Sequence, residues 1–452
     1  MTDLRTDLRL LARHRGDSPV AWESGRTTTA AELCAHVAGF RELLPVAAPG
    51  EEIVVICRDR YRFAVAILAA WQRGFSVALP PNPQPETMRI MRERPNVRTV
   101  VHDVDGGLGI DVRDTRVVSA ARERVGLEPF APLPALAPET KLATIYTSGS
   151  TGAHTACPKT AAQLLGEASV LVDAFSLPVG ARILAMVPPH HIYGLLFGVL
   201  VPLASGGALY RHTPLMAPEV ARVAKGAGVL VTVPAHLRAL CLAADEQPKV
   251  ARVFSSGAPL APEVAVEARA RFGWTITEVF GSSETGGIGF RESGGEGPWT
   301  PLPGVEVRAG EGGAIEVRSP FLHPDAPRPY VGADRVSVSD EGRFVHLGRT
   351  DGVLKIGGVR VSLAEIERRL LGIDGVRDAA VMAVSVPGGR GHELWAAVVA
   401  PSLDAAAIKQ ALREWLAPIA MPRRLRIVEA LPREPNGKLP RRALEQLFEK
   451  KR

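Results

Sequence analysis

The chain has 452 residues, 46% hydrophobic, 5% aromatic and 23% charged, with a formal net charge of +6. This length suits two or more domains, and the composition is that of a folded globular protein rather than a disordered or fibrous one. Four scattered cysteines (Cys34, Cys57, Cys157, Cys241) form no pair at metal or redox spacing, and the first residues lack an apolar signal core, so a reduced cytoplasmic setting is expected.

Residues 1–50 read as a helical lead-in with a hairpin-like stretch at 20–28. A buried strand at 52–57, a helix at 61–73 stopped by Gly74 and a strand at 75–79 make a βαβ unit that ends in Pro80-Pro81-Asn82-Pro83. Residues 142–146, apolar and β-branched, read as a strand, and 161–175 as a helix. Strand-like runs recur at 99–101, 183–187, 228–233, 250–255 and 275–279. Helical runs lie between them, for instance 262–272, where Pro262 suits a first turn. This alternation predicts stacked α/β layers with parallel strands. The apolar run 193–210 is long, but Gly194, Gly198, Pro202, Gly206 and Gly207 interrupt it. It reads as a buried helix and then a buried strand, not a membrane span.

From 305 to 347 short strands with Gly-rich turns predict a small β-rich subdomain. Beyond it a helix is expected at 363–371, strands at 379–384 and 394–400, a helix at 405–416 and a strand at 425–429. The expected organisation is α/β: a large N-terminal domain of stacked layers plus the β-rich subdomain (1–348), and a small α+β domain (349–452). Residues 351–452 hold 18 Lys and Arg against 12 Asp and Glu, so the whole basic excess lies there. A nucleic-acid surface would want denser basic residues interleaved with aromatics. An acidic protein or a phosphate-rich ligand fits better.

The stretch Thr147-Ser148-Gly149-Ser150-Thr151-Gly152, between strand and helix, has the makings of an anion cradle. Glycines turn backbone N–H groups toward a ligand, hydroxyls add donors, and Lys159 in Pro158-Lys159 adds charge. No Gly-x-x-x-x-Gly-Lys-Ser/Thr is present, so this is not a Walker A loop. Four further motifs follow in order: Ser255-Ser256-Gly257-Ala258-Pro259-Leu260; Val279-Phe280-Gly281-Ser282-Ser283-Glu284-Thr285; Gly348-Arg349-Thr350-Asp351 leading to Lys355-Ile356-Gly357-Gly358; and Pro435-Asn436-Gly437-Lys438.

Together these five resemble the adenylate-forming superfamily of acyl- and aryl-CoA synthetases, adenylation domains and luciferases, over residues 51–444. The resemblance implies a carboxylic acid attacking the α-phosphorus of ATP, giving an acyl-adenylate and pyrophosphate, and then thiol capture. It implies ATP and Mg²⁺, with coenzyme A or the phosphopantetheine arm of an acyl carrier protein as acceptor; the basic excess of residues 351–452 points to an acidic carrier. By that resemblance Thr147, Ser148, Gly149, Ser150, Thr151, Gly152 and Lys159 hold phosphates, although five residues separate Gly152 from Pro158 where the family has one or two. Gly257, Ala258, Pro259, Phe280, Gly281 and Ser283 flank the adenosine, and Glu284 is the metal ligand. Asp334 and Arg349, 15 positions apart, bind ribose. Asp351 is the hinge of a mobile C-terminal domain, Lys438 the catalytic lysine, and Gly357-Gly358 the pantetheine tunnel.

In Pro188-Pro189-His190-His191-Ile192-Tyr193-Gly194, His191 matches a histidine of acyl- and aryl-CoA synthetases, as a catalytic and acid-pocket residue. Tyr193, Val279, Gly286 and Gly287 complete the expected acid pocket. Adjacent histidines without a third ligand at a supporting spacing give no metal site. The amino-acid-binding pattern of adenylation domains is missing. The acid expected is an aryl acid of benzoate type or a medium fatty acid. Two rival readings remain: a non-catalytic acyl-nucleotide-binding scaffold, against which Lys438 and Glu284 argue, and an adenylating oxygenase.

Overall fold

The computed structural model describes residues 9–449, except 24, 108, 114–129, 131, 132, 149–153, 244–246, 293–296, 350–352, 357, 358, 386–391, 415, 417, 419 and 420. By residue proximity the chain divides into two compact units. One is Met1–Glu306 with Val317–Tyr330; the other is Val307–Glu316 with Val331–Arg452. The division expected at 348/349 falls inside the second unit. Tyr330–Val338 and Phe344–Arg349 pair antiparallel, and that ladder keeps both strands in one body.

The first unit holds two large sheets. The six-stranded sheet runs, in spatial order, Ile110–Asp111, Val97–His102, Glu52–Ile56, Ser76–Leu79, Lys141–Ser148, His154–Thr160. All neighbours are parallel except the last pair. The expected βαβ unit is there: helix Arg60–Gln72 is capped by Asp59, whose carboxylate accepts from the N–H groups of Tyr61 and Arg62, and Gly74 follows at φ +88°. Buried Glu52 accepts from Ser76, Lys141, Thr144 and Tyr146, which fastens the strands Glu52–Ile56, Ser76–Leu79 and Lys141–Ser148 to one another.

The nine-stranded sheet runs Thr300–Pro301, Gly286–Glu292, Ile276–Ser282, Arg252–Ser255, Val229–Thr232, Arg182–Ala185, Ala208–Tyr210, Pro19–Glu23, Arg26–Thr29. Its six central strands are parallel. On one face a core of Leu184, Leu230, Val253, Leu237, Val264 and Trp274 packs under the helices Pro234–Leu242 and Pro262–Phe272. The apolar run after His191 is helical through Ser205, with a π-stretch at Leu196–Leu200 between two α turns. Gly206 at φ +79° ends it and strand Ala208–Tyr210 follows. Among the described residues no helix is long and apolar enough to cross a membrane.

In the second unit the β-rich stretch forms a four-stranded sheet. The C-terminal part is a three-stranded sheet, Asp378–Ser385, His392–Val399, Arg424–Ile427. Helices Leu363–Leu371 and Ala405–Arg413 bury Ile366, Leu370, Ile408 and Leu412 against one face. Helix Arg441–Glu449 buries Leu444 against the other. Alternating apolar residues in the central strands serve both faces, as period-2 side-chain placement requires.

Candidate active site

Three of the motifs meet at the carboxyl ends of the parallel strands of the nine-stranded sheet, where ligands of open α/β sheets bind. Gly257-Ala258-Pro259 follows strand Arg252–Ser255 and is exposed, with Gly257 at φ +86°. Ser256 donates to the Val279 carbonyl at 2.7 Å, which ties this loop to the next strand and leaves Val279 buried. Phe280, Gly281 and Ser282 end strand Ile276–Ser282. Ser283-Glu284-Thr285 then turns into the antiparallel strand Gly286–Glu292. Ser282 and Thr285 close the turn reciprocally, each backbone N–H reaching the other's hydroxyl at 3.1 and 3.2 Å. Phe280 leans on Trp299 at 5.5 Å, and the Arg291 guanidinium lies over that indole at 4.5 Å.

His190 and His191 follow strand Arg182–Ala185, their rings 4.4 Å apart. His191 caps the short helix Ile192–Leu195. His190 is buried, and burial together with its neighbour holds its imidazole well below the usual range, so it is neutral. Tyr193 packs on Phe197 at 5.1 Å, and Phe197 on Phe254 at 4.9 Å. Gly194 is required by a close approach: a Cβ there would stand 1.9 Å from the Pro188 carbonyl.

Behind this segment is a residue that sequence reasoning missed. Arg60, fully buried, donates to the carbonyls of Val187, Ala185, Tyr210 and His212 at 2.7–3.0 Å and to Thr213 Oγ1 at 3.1 Å. It pins the end of the strand that presents His190 and His191. Burial pulls its guanidinium down to about 10, still charged at neutral pH. In sequence it is one arginine among Arg58, Asp59 and Arg62, with nothing to distinguish it from a solvated helix start.

The expected strand–loop–helix around 147–152 is a β-hairpin followed by the helix. Lys141–Ser148 pairs with His154–Thr160, Ser148 opposite His154, and Ala161–Ala174 is helical. The return strand was not among the expected elements, and it contains Pro158. It is an edge strand, where proline is tolerated. Thr147 and Ser148 end the outgoing strand. Gly149, Ser150, Thr151 and Gly152 lie outside the described residues.

Lys159 needs a correction. It was expected on phosphate, but it lies on the return strand, 1% exposed, and its ammonium donates to the Glu284 and Phe321 carbonyls, both at 3.1 Å. Burial lowers its pKa, and nearby Glu167 opposes that. The lysine holds the turn of Glu284 by the backbone instead of meeting solvent at a loop.

Gly286 and Gly287 are corrected too. They were expected to leave room for an acid, yet that room is filled. A Cβ on Gly286 would stand 2.5 Å from Glu167 Oε2 and 2.8 Å from Phe321 Cβ; one on Gly287 would stand 2.6 Å from Leu302 Cδ1. The Gly287 N–H donates to Glu167 Oε1 at 2.6 Å. Burial pushes the Glu167 carboxyl up to about 7, against the pull of Lys159 and this hydrogen bond.

The Glu284 carboxylate itself is half-exposed, with Oε1 3.8 Å from the Cys157 thiol. Burial, with Glu284 nearby, pushes that thiol up to about 11, so it stays protonated and is no rival thiolate ligand. Among the described residues no cluster of three or more His, Cys, Asp or Glu could hold a metal. One hard, accessible carboxylate does not make an all-protein cage, but it fits Mg²⁺, which takes one or two carboxylates and completes its shell with phosphates and water.

In the second unit, Asp334 and Arg349 are cross-strand partners, so their spacing of 15 positions is that of a hairpin's facing pair. His346, which the sequence reading passed over, stands with Nε2 2.7 Å from Asp334 Oδ1. Lys438 is exposed on a turn whose Gly437 adopts φ +81°. Its N–H donates to Asn436 Oδ1, and its carbonyl accepts from Glu434 at 2.7 Å. Arg433 anchors this turn: it pairs with both oxygens of Asp378 at 2.7 Å and donates to the Gly437 carbonyl at 3.2 Å. Asp351, Gly357 and Gly358 lie outside the described residues.

The model of the AMP-binding enzyme family matches residues 9–315, and that of the AMP-binding enzyme C-terminal domain matches 365–438. A 4-coumarate–CoA ligase of Rhodobacter capsulatus is 33% identical over 306 residues, covering 66% of this chain and 75% of that protein. A benzoate–CoA ligase of Thauera aromatica is 27% identical over 387 residues, covering 75% and 70%. Among solved structures, ATP-bound MatB from Rhodopseudomonas palustris superposes with TM-score 0.78 at 20% identity, covering 98% of this chain and 99% of that one. The o-succinylbenzoate coenzyme A synthetase of Bacillus subtilis with ATP and magnesium gives TM-score 0.79 at 19% identity, covering 95% and 97%.

Proposed function

The chain belongs to the AMP-binding, adenylate-forming enzymes, and from that premise we propose that it is an ATP-dependent ligase joining an aryl carboxylic acid to a thiol. The observation that carries this reading is that Gly257-Ala258-Pro259, Phe280–Glu284 and His190-His191 all follow the carboxyl ends of parallel strands of one sheet. Relatives named for coumarate, succinylbenzoate and benzoate support an aryl acid over a medium fatty acid.

The chemistry brings anions together, so positioning and cationic stabilisation dominate. Glu284 offers its carboxylate to the magnesium of Mg·ATP, which when bound neutralises phosphate charge. The exposed backbone of Gly257 to Pro259 and the ring of Phe280 flank the adenine. Asp334 accepts two hydrogen bonds from the ribose diol, as a carboxylate can, with Arg349 opposite it. Lys438 donates to the oxygens on which charge develops when the acid attacks the α-phosphorus. Asp351 is the proposed hinge between steps, with the domain boundary at 348/349, and Gly357-Gly358 lines the pantetheine path.

The acceptor is the thiol of coenzyme A or of a carrier protein's phosphopantetheine arm. The basic excess of residues 351–452 favours an acidic carrier. Acid-dependent exchange of pyrophosphate into ATP, across a panel of benzoates, cinnamates and medium-chain fatty acids, tests the ligase reading. Exchange that responds to none of them overturns it. Thiol capture measured with coenzyme A and with an acidic holo-carrier, at rising salt, tests the acceptor. Salt should slow the carrier reaction once the Debye length falls below about 10 Å. A salt-insensitive rate with coenzyme A preferred would exclude the carrier.

A further inference from the structure

We propose that Glu167 is a positioning residue for adenylation, gripping the exit of the turn that carries Glu284 while Lys159 grips its apex. The inference rests on the reading of Glu284 as the carboxylate that meets Mg·ATP.

The turn Ser283–Thr285 is held by its backbone at two points. On one side the Lys159 ammonium takes the Glu284 carbonyl at 3.1 Å. On the other, Glu167 Oε1 takes the Gly287 N–H at 2.6 Å, while Oε2 lies in the hollow that Gly286 leaves by having no Cβ. Gly286 stands at φ +69°, a conformation that glycine adopts freely and a side chain resists. A larger residue at either glycine would expel the carboxyl.

Both gripping groups come from one short segment. Lys159 ends the hairpin, and Gln163 and Glu167 lie one helical turn apart on the helix Ala161–Ala174. Gln163 secures that segment twice, accepting from the Thr160 N–H at 2.7 Å and donating at 3.2 Å to the Phe321 carbonyl that Lys159 also holds. The charged or titratable groups facing this cluster are Lys159, Glu167, Glu284 and the Cys157 thiol. A buried carboxyl whose hydrogen bond goes to a single backbone N–H is a poor stabiliser beside an apolar residue of equal size. What it does supply is a fixed path for the turn, so the half-buried Glu284 carboxylate extends from a backbone held at two points. Preorganisation of that kind serves a metal–nucleotide contact.

The test compares Glu167→Met, Glu167→Gln, Glu284→Ala and the double variant Glu167→Met/Glu284→Ala. ATP binding is measured by calorimetry with and without Mg²⁺, exchange of the Gly287 amide by hydrogen–deuterium methods, and adenylation by pyrophosphate exchange. Methionine keeps the volume and removes the acceptor; glutamine keeps an acceptor oxygen. Glu167→Met should leave metal-free ATP affinity intact, reduce the gain that Mg²⁺ gives, speed Gly287 exchange, and slow adenylation by about 10-fold. Glu167→Gln should restore Gly287 protection and the Mg²⁺ gain. The double variant should be no worse than Glu284→Ala, because both act through one carboxylate.

If Glu167→Met and Glu284→Ala losses multiply, or if Glu167→Met lowers metal-free and metal-dependent binding alike, the proposal is overturned. If Glu284→Ala leaves the Mg²⁺ gain intact, the reading of Glu284 fails and the clamp's purpose fails with it. If Glu284→Ala abolishes the gain and Glu167→Met does not touch it, the clamp alone fails. Should Glu167→Met not fold, Glu167→Asp withdraws the acceptor by one methylene and carries the same expectations.

Discussion

Glu284 and Lys438 both sit on short turns, yet the two turns are held in different ways. The first is gripped from behind by buried groups of a neighbouring hairpin and helix, Lys159 and Glu167, and closed by the reciprocal Ser282–Thr285 bonds. The second carries its lysine exposed, on a turn anchored by the partly buried ion pair Arg433–Asp378. The difference suits two kinds of work. A carboxylate that meets a metal–nucleotide gains from a backbone fixed before substrate arrives. A lysine needed in one half-reaction only must be presented and then withdrawn, so a stiff stem with a free tip is enough.

The comparison breaks most sharply at Lys438. Lys438→Ala should fold normally, because the residue is exposed. It should lose adenylation by about 10²–10³-fold, on the order of 3–4 kcal/mol for one preorganised charge contact. A chemically supplied acyl-adenylate should still be converted to thioester near the wild-type rate. Pyrophosphate exchange and single-turnover thiol capture, run separately, check this. Equal loss in both steps would return Lys438 to a structural role.

Glu284→Ala should come next, with adenylation down by about 10²-fold and ATP binding no longer strengthened by Mg²⁺. Arg433→Ala follows. Removing the stem should cost about 1 kcal/mol of stability, as a partly buried pair does, and slow adenylation by about 10-fold while sparing thiol capture. Thermal melts beside the two half-reaction assays separate these effects. If Arg433→Ala slows both steps equally, the stem does not serve Lys438 alone.

Much of this architecture was legible in the sequence. Apolar runs at strand length, glycine stops and the proline at the start of Pro262–Phe272 put most elements of both units in place. The spacing of Asp334 and Arg349 turned out to be a cross-strand register. The failures share a cause. Lys159, Arg60 and Glu167 are charged residues that fold into the interior, and local sequence gives no sign of their partners, which lie 120 or more positions away. The two glycines after Thr285 read as open space for the same reason: what fills them is a carboxyl from a distant helix and the side chains of Phe321 and Leu302. The His154–Thr160 strand, not among the expected elements, contains a proline that its edge position permits.

The smallest expected effect concerns the stability of the clamp itself. Burial raises the Glu167 carboxyl from 4.5 to about 7, so between those values the native state holds a proton that the unfolded chain has lost. Stability rises with pH where the unfolded state binds more protons; here the native state binds more, so this contribution falls as pH rises. Below about 4.5 the carboxyl is neutral in both states and costs nothing. Above about 7 it is ionised in both, and the burial of the charge is felt in full. The shift corresponds to an upper bound on the order of 3 kcal/mol. Glu167→Gln cannot ionise, while Lys159 is common to both proteins and cancels to first order. The difference in melting temperature, variant minus wild type, should therefore grow as pH rises from about 4.5 to 7 and then level off. Melts of both proteins across that range decide it. A difference that is flat, or that shrinks with pH, would mean that Glu167 is charged throughout and tightly paired with Lys159, and the turn would then be held by an ion pair rather than by a neutral acceptor at rest near neutral pH.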